Sequence, residues 1–168
     1  VHIPFCIRKC AYCDFISYPN KLEMQEEYVK KLLEEIDNAK QIINSCNVTT
    51  VYIGGGTPSV INSKLIKRIL YKIRDVISAK QKSDNVATLE GIDQEINGHL
   101  GNDIQEVTIE VNPGTVTRQK LEDYFEAGVN RLSIGLQSTS DFLLKSIGRI
   151  HTYKDFLDTY NMAVDVGF

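Results

Sequence analysis

The sequence predicts an α/β fold with a parallel sheet and outer helices. Apolar, strand-like runs at residues 2–5, 48–53, 107–111 and 132–136 each precede a segment with helical spacing, so strand and helix alternate four times. The longer runs are mainly apolar and do not alternate strictly, as expected for strands that are buried on both faces. Repeating units of roughly 25–50 residues fit either a barrel-like or a doubly wound sheet, and the spacing alone does not choose between them.

The first unit begins with the extended stretch 2–5, which leads into a cysteine-rich loop. Asn20 is followed three residues later by Glu23, which resembles a capping box, so we predict a helix that begins there. Apolar residues then recur at helical spacing as far as Ile43. Cys46 follows this helix, and we expect it to be a buried, inert thiol at the helix end.

The second unit has a buried strand that ends in the glycine run 54–58. Ser63 is the predicted N-cap of a second helix, whose apolar face extends to Ile77. Residues 78–105 are polar and interrupted by glycines, which breaks the helical rhythm. We therefore predict that this segment is a surface insertion and not a linker between domains.

The third and fourth units carry clear helix signals. Thr117 is the predicted cap of the helix after the third strand, and Gly128 is predicted to end it in the left-handed conformation. The fourth strand is followed by a short helix over 141–147. A last helix then begins at a capping box formed by Thr152 and Asp155.

Length and composition bound the class of protein. The chain has 168 residues and a net charge of -3, which suits one globular domain and gives no basic footprint for nucleic acid. No run of about 18 apolar residues is present, so we expect no membrane span. Cysteines clustered beside an ample apolar core indicate metal ligands in a reducing compartment, and we expect a cytoplasmic protein. The chain starts at Val1 inside a strand pattern and ends just after a helix pattern. We therefore expect residues 1–168 to be a core domain that is incomplete at both ends.

Three cysteines near the start carry the strongest chemical signal. Cys6, Cys10 and Cys13 have the spacing C-x3-C-x2-C, and no fourth ligand stands nearby. A structural zinc normally takes four ligands in a closed tetrahedron, and a cubane iron–sulfur cluster normally takes four cysteines. Three thiolates therefore predict a cluster with one iron left open to a substrate or cofactor.

The glycine run is the second signal. Gly55, Gly56 and Thr57 follow the second strand, where residues without a Cβ let a ligand approach the backbone closely. The run is neither a P-loop nor the dinucleotide fingerprint. A tight turn is the alternative interpretation, which three consecutive glycines make less favourable because of their entropy cost.

Three polar residues lie at the ends of later strands. Glu110 could accept hydrogen bonds from an ammonium or ribose group, although by itself it is better explained as a solvated strand-edge residue. Gln137 has the same ambiguity. Arg149 could hold a carboxylate with its planar fork, whereas a surface position is the ordinary alternative. His151 is interpreted as a helix-entry residue.

Taken together, these motifs resemble those of the radical S-adenosylmethionine (SAM) proteins. The resemblance covers nearly the whole chain except residues 78–105. It is with the branch that holds oxygen-independent coproporphyrinogen III oxidases and the related HemW-type heme chaperones. The motifs are His2-Ile3-Pro4-Phe5, Cys6-x3-Cys10-x2-Cys13 with Tyr12 before the third cysteine, Gly54-Gly55-Gly56-Thr57-Pro58-Ser59, Glu110-Val111-Asn112-Pro113-Gly114, Gly135-Leu136-Gln137-Ser138 and Gly148-Arg149-Ile150-His151.

The resemblance implies a fold and a cofactor site. The fold would be a partial radical SAM barrel of about four βα units. Cys6, Cys10 and Cys13 would bind a [4Fe-4S] cluster, and SAM would chelate the open iron. Gly55, Gly56 and Thr57 would contact the methionine part of SAM. The other SAM contacts that the resemblance implies are Tyr12, Glu110, Gln137 and Arg149.

Phe15 separates the two activities that the resemblance implies. The oxidases tend to carry a further cysteine at this position, so the Cys13-Asp14-Phe15 form favours a heme chaperone. Such a protein binds heme and transfers it to acceptor proteins, and an electron donor reduces its cluster. The alternatives are an oxidase that decarboxylates coproporphyrinogen III to protoporphyrinogen IX, and a simple metal-binding domain without SAM chemistry. Whether the protein is an enzyme stays open at this point.

Overall fold

The computed structural model describes residues 1–84 and 104–168 and places six strands and six helices in this part of the chain. The strands are β1 (His2–Ile3), β2 (Phe5–Cys6), β3 (Tyr18–Pro19), β4 (Thr50–Gly55), β5 (Glu106–Val111) and β6 (Arg131–Ile134). The helices are α1 (Gln25–Asn38), α2 (Lys40–Ser45), α3 (Ser63–Asp84), α4 (Arg118–Glu126), α5 (Asp141–Ser146) and α6 (Tyr153–Val166). Leu22–Met24 and Pro58–Val60 each form a turn of 3₁₀ helix.

The main sheet is parallel and has the strand order β1-β4-β5-β6. Each strand therefore lies beside the strand of the preceding βα unit, and the order never reverses. A doubly wound sheet would reverse at a switch point, whereas sequential order is that of a barrel wall. The α/β prediction is confirmed, and the topology settles the alternative that the spacing left open.

The core lies between the sheet and the outer helices. Ile53 on β4 and Ile109 on β5 have no exposed surface, and α3 covers them with a continuous apolar face. Full burial of one such side chain contributes about 1.5–3 kcal/mol, so the two central strands are firmly anchored. Helix α3 in turn packs against α1, α2 and α4. Within the described ranges, no helix combines the length and apolarity that crossing a membrane requires.

Several helix signals are confirmed. The Thr117 hydroxyl accepts a hydrogen bond from the Lys120 N–H, and Gly128 ends α4 with a φ of 89°. Thr152 and Asp155 form the reciprocal capping box at the start of α6. The last predicted helix therefore begins where its sequence signature placed it.

Two predicted helix starts are wrong. Asn20 has a φ of 57° in the turn after β3, and no side chain caps the 3₁₀ turn that follows. Its left-handed backbone is used to change direction, so the capping box with Glu23 does not form. Ser63 is the first residue of α3, and Asn62 caps it by accepting the Lys64 N–H at 3.0 Å.

The predicted burial of Cys46 is also wrong. Cys46 lies at the end of α2 as expected, but it is exposed, because the chain leaves the core before reaching it. Helix α3 continues to Asp84, so positions 78–84 of the predicted insertion are helical. Residues 85–103 of that prediction lie outside the described residues.

The ends of two strands differ from the sequence pattern. Strand β4 extends to Gly55 and so includes two of the glycines, which still pair with β1. Strand β6 ends at Ile134 because Gly135 begins a turn in which Gln137 has a φ of 67°. The predicted strand extended to residue 136 because Leu136 continues the apolar run, whereas the observed strand ends at Ile134.

Candidate cofactor site at the carboxyl ends of the strands

A cavity of about 200 Å³ opens where β4, β5 and β6 end. All ten residues predicted for the cluster and for SAM line it, although they lie as far apart in the chain as Cys6 and Arg149. The complete lining is Cys6, Arg8, Lys9, Cys10, Tyr12, Cys13, Phe15, Gly55, Gly56, Thr57, Glu110, Val111, Asn112, Ser133, Gly135, Gln137 and Arg149. The structure therefore brings the predicted residues together, while the role of each remains a matter for proposal.

The cysteine loop is anchored at its base and at its tip. Strands β2 and β3 pair in parallel and bracket the loop, with Cys6 buried at its start. Within the loop, the Cys13 N–H donates to the Cys10 carbonyl at 3.1 Å. The Ala11 N–H donates to the Ile147 carbonyl at 3.0 Å, which ties the loop to the end of α5. The three thiols are thus held on a short, fixed segment.

The three thiols share the wall of one cavity, as the ligands of one cluster would. Among residues 1–84 and 104–168, no three or more His, Cys, Asp or Glu side chains converge on one point as ligands of one metal ion. A cluster of several irons spreads its ligands over several metal atoms, so its cysteines need not converge. All three are free thiols on the wall of one cavity, which fits that group.

The glycine run is required by packing inside the protein. A Cβ on Gly55, whose φ is 117°, would lie 2.6 Å from Nδ1 of His2. A Cβ on Gly56 would lie 2.8 Å from the carbonyl oxygen of Phe5 and 3.0 Å from Sγ of Cys6. These distances are below van der Waals contact, so the first strand and the cysteine can approach β4 only because the side chains are missing. Any larger residue at Gly56 would displace Cys6.

Glu110 is integrated into the site and is not a solvated edge residue. Its carboxylate accepts a hydrogen bond from the Tyr52 hydroxyl at 2.7 Å and another from the Gly55 N–H at 3.0 Å. The bond to Glu110 is the main reason that the pKa of Tyr52 is raised, because it favours the protonated phenol. Glu110 therefore fixes the glycine run from the neighbouring strand.

Arg149 has most of its donors engaged. Its Nη2 donates to Oδ1 of Asn112 at 2.8 Å and to the Gly135 carbonyl at 2.9 Å, and its Nη1 approaches Sγ of Cys10 at 3.7 Å. Its Nε donates to Nδ1 of His151 at 3.3 Å. A guanidinium has five N–H groups, of which these contacts engage four, and Tyr12 also shares a side-chain hydrogen bond with Arg149. A two-pronged grip on a carboxylate is thus not available unless these bonds rearrange.

His151 is more than the predicted helix-entry residue. It does precede α6, but it is also buried beneath Arg149 and bonds through Nε2 to the Leu136 carbonyl at 3.2 Å. Since Nδ1 accepts from Arg149, the ring is neutral with its proton on Nε2. Burial, and secondly the charge of Arg149, hold the pKa of His151 below its ordinary value.

The remaining two predicted SAM contacts are the more exposed ones. Tyr12 lies beside Arg149 and Cys10, and its partial burial is the main reason that its pKa is raised. Gln137 is exposed at the cavity rim, where its left-handed backbone turns the chain. Both side chains can move to meet a ligand more easily than Glu110 or Arg149.

Arg8, Lys9, Asn112 and Ser133 also line the cavity, although the sequence does not predict them there. In the sequence, Asn112 stands only as part of the motif Glu110-Val111-Asn112-Pro113-Gly114. A signal was present, because it follows β5 at the level where parallel strands present ligand-binding groups. Arg8 and Lys9 carry no such signal beyond their position between two of the cysteines.

Comparison with known proteins gives a consistent result. The sequence pattern of the Radical SAM superfamily matches residues 1–168. The heme chaperone HemW of Escherichia coli (strain K12) is 38% identical over 168 residues, covering 99% of this chain and 39% of the relative. The heme chaperone HemW of Bacillus subtilis (strain 168) is 33% identical, covering 100% of this chain and 39% of the relative. The chain thus spans about two fifths of the length of these curated relatives.

A solved structure provides the same fold. Coproporphyrinogen III oxidase (HemN) from Escherichia coli, described as a radical SAM enzyme, superposes with a TM-score of 0.77 at 24% identity. The match covers 99% of this chain and 34% of that protein. At this identity the likeness concerns the partial barrel alone.

Proposed function

The chain belongs to the radical SAM superfamily and is related to the HemW heme chaperones, and from that premise we propose that it binds a [4Fe-4S] cluster and SAM within a protein that binds heme and transfers it to acceptor proteins. The observation that carries this proposal is the common cavity. Three cysteines and seven predicted SAM contacts from five separate segments line the same cavity. A domain that merely holds a structural metal has no need of the later segments.

Cys6, Cys10 and Cys13 are the proposed cluster ligands. A coordinating thiol loses its proton, so the three residues act as thiolates when the site is loaded. The cluster that these three thiolates would hold would supply one-electron reductive cleavage of a C–S bond of bound SAM. Reduced thiols of this kind suit a reducing compartment such as the cytoplasm.

The other residues position SAM. Gly55 and Gly56 present backbone beside the cysteine loop, and Glu110 holds that backbone in place. Tyr12 and Gln137 contribute adaptable polar groups at the rim. Arg149 faces the same cavity as the proposed SAM contact for the carboxylate, and its bonds to Asn112 and His151 fix the wall around it. The hard chemistry belongs to the cofactors, and the protein supplies placement and exclusion of water.

The cluster part of the proposal is tested by anaerobic reconstitution with iron and sulfide. We expect an electron paramagnetic resonance signal of a reduced cubane cluster that changes when SAM is added. Cys10→Ala should abolish it, because one of three ligands is lost. Cys46→Ala is the matched control and should leave the signal intact, since Cys46 lies outside the cavity. A cubane signal that is indifferent to SAM would refute the SAM site.

The heme part is tested separately, with the oxidase as the competing function. Reduced protein is incubated with SAM and either heme or coproporphyrinogen III. Stoichiometric heme uptake without conversion of coproporphyrinogen III supports the chaperone. Turnover to protoporphyrinogen IX, followed by its fluorescence after oxidation, would establish the oxidase instead. Phe15, on the cavity wall where the oxidases tend to have cysteine, is the residue that favours the first outcome.

A further inference from the structure

The Thr57 hydroxyl lies behind a cluster ligand. Its Oγ1 is 3.4 Å from Sγ of Cys6, and the residue is only 4% exposed. The backbone of Thr57 is occupied as well, because its N–H donates to the Phe5 carbonyl and its carbonyl accepts from Val60. The backbone polar groups of Thr57 are therefore engaged within the protein, and its hydroxyl lies beside the sulfur of Cys6.

Asn112 decides the direction of the Thr57 hydroxyl proton. Its Nδ2 donates to Oγ1 of Thr57 at 2.9 Å, so the hydroxyl oxygen is the acceptor in that bond. The hydroxyl hydrogen is then available for the sulfur of Cys6. A metal-bound thiolate has no proton to give, so in the loaded protein Thr57 must be the donor in the Thr57–Cys6 bond.

Arg149 decides the orientation of the Asn112 amide. Its Nη2 donates to Oδ1 of Asn112 at 2.8 Å, and a flipped amide would place an NH₂ group against the guanidinium. The Asn112 backbone is fixed too, since its N–H donates to the Ser59 hydroxyl at 3.1 Å and its carbonyl accepts from the Thr115 hydroxyl at 2.6 Å. In the series Arg149, Asn112, Thr57 and Cys6, each residue thus donates a hydrogen bond to the next, and each bond fixes the direction of the one that follows.

We propose that Asn112 is a positioning residue that holds the Thr57 hydroxyl as a hydrogen-bond donor to the cluster thiolate of Cys6 and thereby raises the reduction potential of the cluster. The inference rests on the proposed function, because it needs a cluster on Cys6. A hydrogen bond to a ligating sulfur withdraws negative charge from it. It therefore stabilises the reduced, more negative cluster relative to the oxidised one.

Asn112→Asp gives a nearly isosteric test. An ionised aspartate can only accept, so the Thr57 hydroxyl turns toward it and away from Cys6, while the bond from Arg149 is kept. We expect the midpoint potential of the cluster, measured without SAM by redox titration with paramagnetic resonance detection, to become more negative. Thr57→Val, which removes the donor, should lower it too. Thr57→Ser keeps the hydroxyl and should keep the potential of the original protein.

The added charge of aspartate is separated from the hydrogen bond by a double variant. In the Thr57→Val background the hydroxyl is already gone, so Asn112→Asp should lower the potential by less than it does in the original protein. The inference would be overturned if Asn112→Asp shifted the potential equally in both backgrounds. It would also be overturned if Thr57→Val alone left the potential of the original protein unchanged. If Thr57→Val fails to hold a cluster, Thr57→Ala removes the same donor with less bulk. Absence of any cluster from the original protein would refute the proposed function itself, whereas a normal cluster with an unmoved potential refutes only the role of Asn112.

Discussion

At the scale of single residues, the state of His151 controls how Arg149 is held. The neutral ring accepts a hydrogen bond from Nε of Arg149 at Nδ1 and donates one from Nε2 to the Leu136 carbonyl. A protonated ring has no acceptor and would place a second positive charge beside the guanidinium. The nearby carboxylates of Asp141 and Asp155 oppose this effect, but the pKa of His151 is still lowered. Arg149 is therefore held best when His151 is neutral.

The lowered pKa predicts a pH dependence of folding. In the unfolded chain the pKa of His151 returns to its ordinary value of 6.5, so on acidification the unfolded state takes up a proton before the folded state does. The contribution of His151 to the free energy of unfolding is thus fully present above pH 6.5, and it is lost progressively as the pH falls below 6.5. Urea titrations at pH 7.5 and pH 5.5 should show a smaller decline for His151→Gln than for the original protein. Equal declines would mean that His151 does not contribute to the acid sensitivity.

That the ten predicted residues line one cavity could be foreseen from the sequence, because each belongs to a short motif at a strand end. Their contacts could not, because they join residues that are distant in the chain. Arg149 and Asn112 are 37 positions apart, and nothing in either motif shows that one would bond the other. The motif around Arg149 predicts a ligand contact, and the structure adds that four of its N–H groups are engaged by the protein.

At the scale of secondary-structure elements, Lys120 connects helix α4 to the loops of the site. Its ammonium group donates to the Ser59 carbonyl at 2.7 Å and to the Thr115 carbonyl at 3.3 Å. These carbonyls belong to the loops that follow β4 and β5, the same loops that carry Thr57 and Asn112. Burial lowers the pKa of Lys120, yet it remains the donor that satisfies both loops. The helix thus holds two walls of the cavity in register.

Replacement of this lysine should loosen the loops. Lys120→Met keeps the length of the side chain and leaves the partly buried carbonyls without their donor. We expect a loss of about 1–3 kcal/mol in the free energy of unfolding, measured by urea denaturation. Lys154→Met is the matched control on α6, because Lys154 is exposed and pairs only with Asp158 one turn away. Its unfolding midpoint should be unchanged, and a similar loss in both variants would contradict the role of Lys120.

The caps show why element boundaries were only partly predictable. Thr117 and Thr152 cap their helices as predicted, since each stands in extended backbone directly before the helix. Asn20 has an equally good side chain but lies in a left-handed turn that the preceding strand imposes. Ser63 does not cap its helix, and its hydroxyl instead donates a hydrogen bond to Asp123 on α4 at 2.5 Å. Tertiary contacts therefore decided between candidates that the local pattern ranked alike.

At the scale of the whole molecule, the sequential strand order brings the residues of the cavity together. Because β1, β4, β5 and β6 are neighbours in that order and all parallel, their carboxyl ends form one edge. The cysteine loop, the glycine run, Asn112 and Arg149 reach the same cavity from that edge. Alternation of strands and helices was readable from the sequence, but the order was not, since it depends on which strand pairs with which.

The same architecture predicts which part of the chain can be replaced without loss of the fold. Residues 78–84 complete α3, and Ile104 and Gln105 lead into β5, where Ile104 packs on the core and the Gln105 N–H donates to the Thr49 carbonyl at 2.8 Å. We expect residues 85–103 alone to behave as the insertion. A glycine–serine linker of equal length in their place should leave the far-ultraviolet circular dichroism and the unfolding midpoint close to those of the original protein. Equal length keeps the loop-closure entropy comparable.

The matched variant replaces residues 78–105 in the same way and tests the boundary. It removes about two turns of α3, the apolar contact of Ile104 and the bond of Gln105, so it should lose about 1–3 kcal/mol of unfolding free energy. The cavity residues all lie outside both replaced segments, which means that the smaller replacement should also keep the cluster signal. An equal loss of stability in the two variants would show that residues 85–103 belong to the folded core. The insertion would then have to be regarded as part of the barrel wall that carries the site.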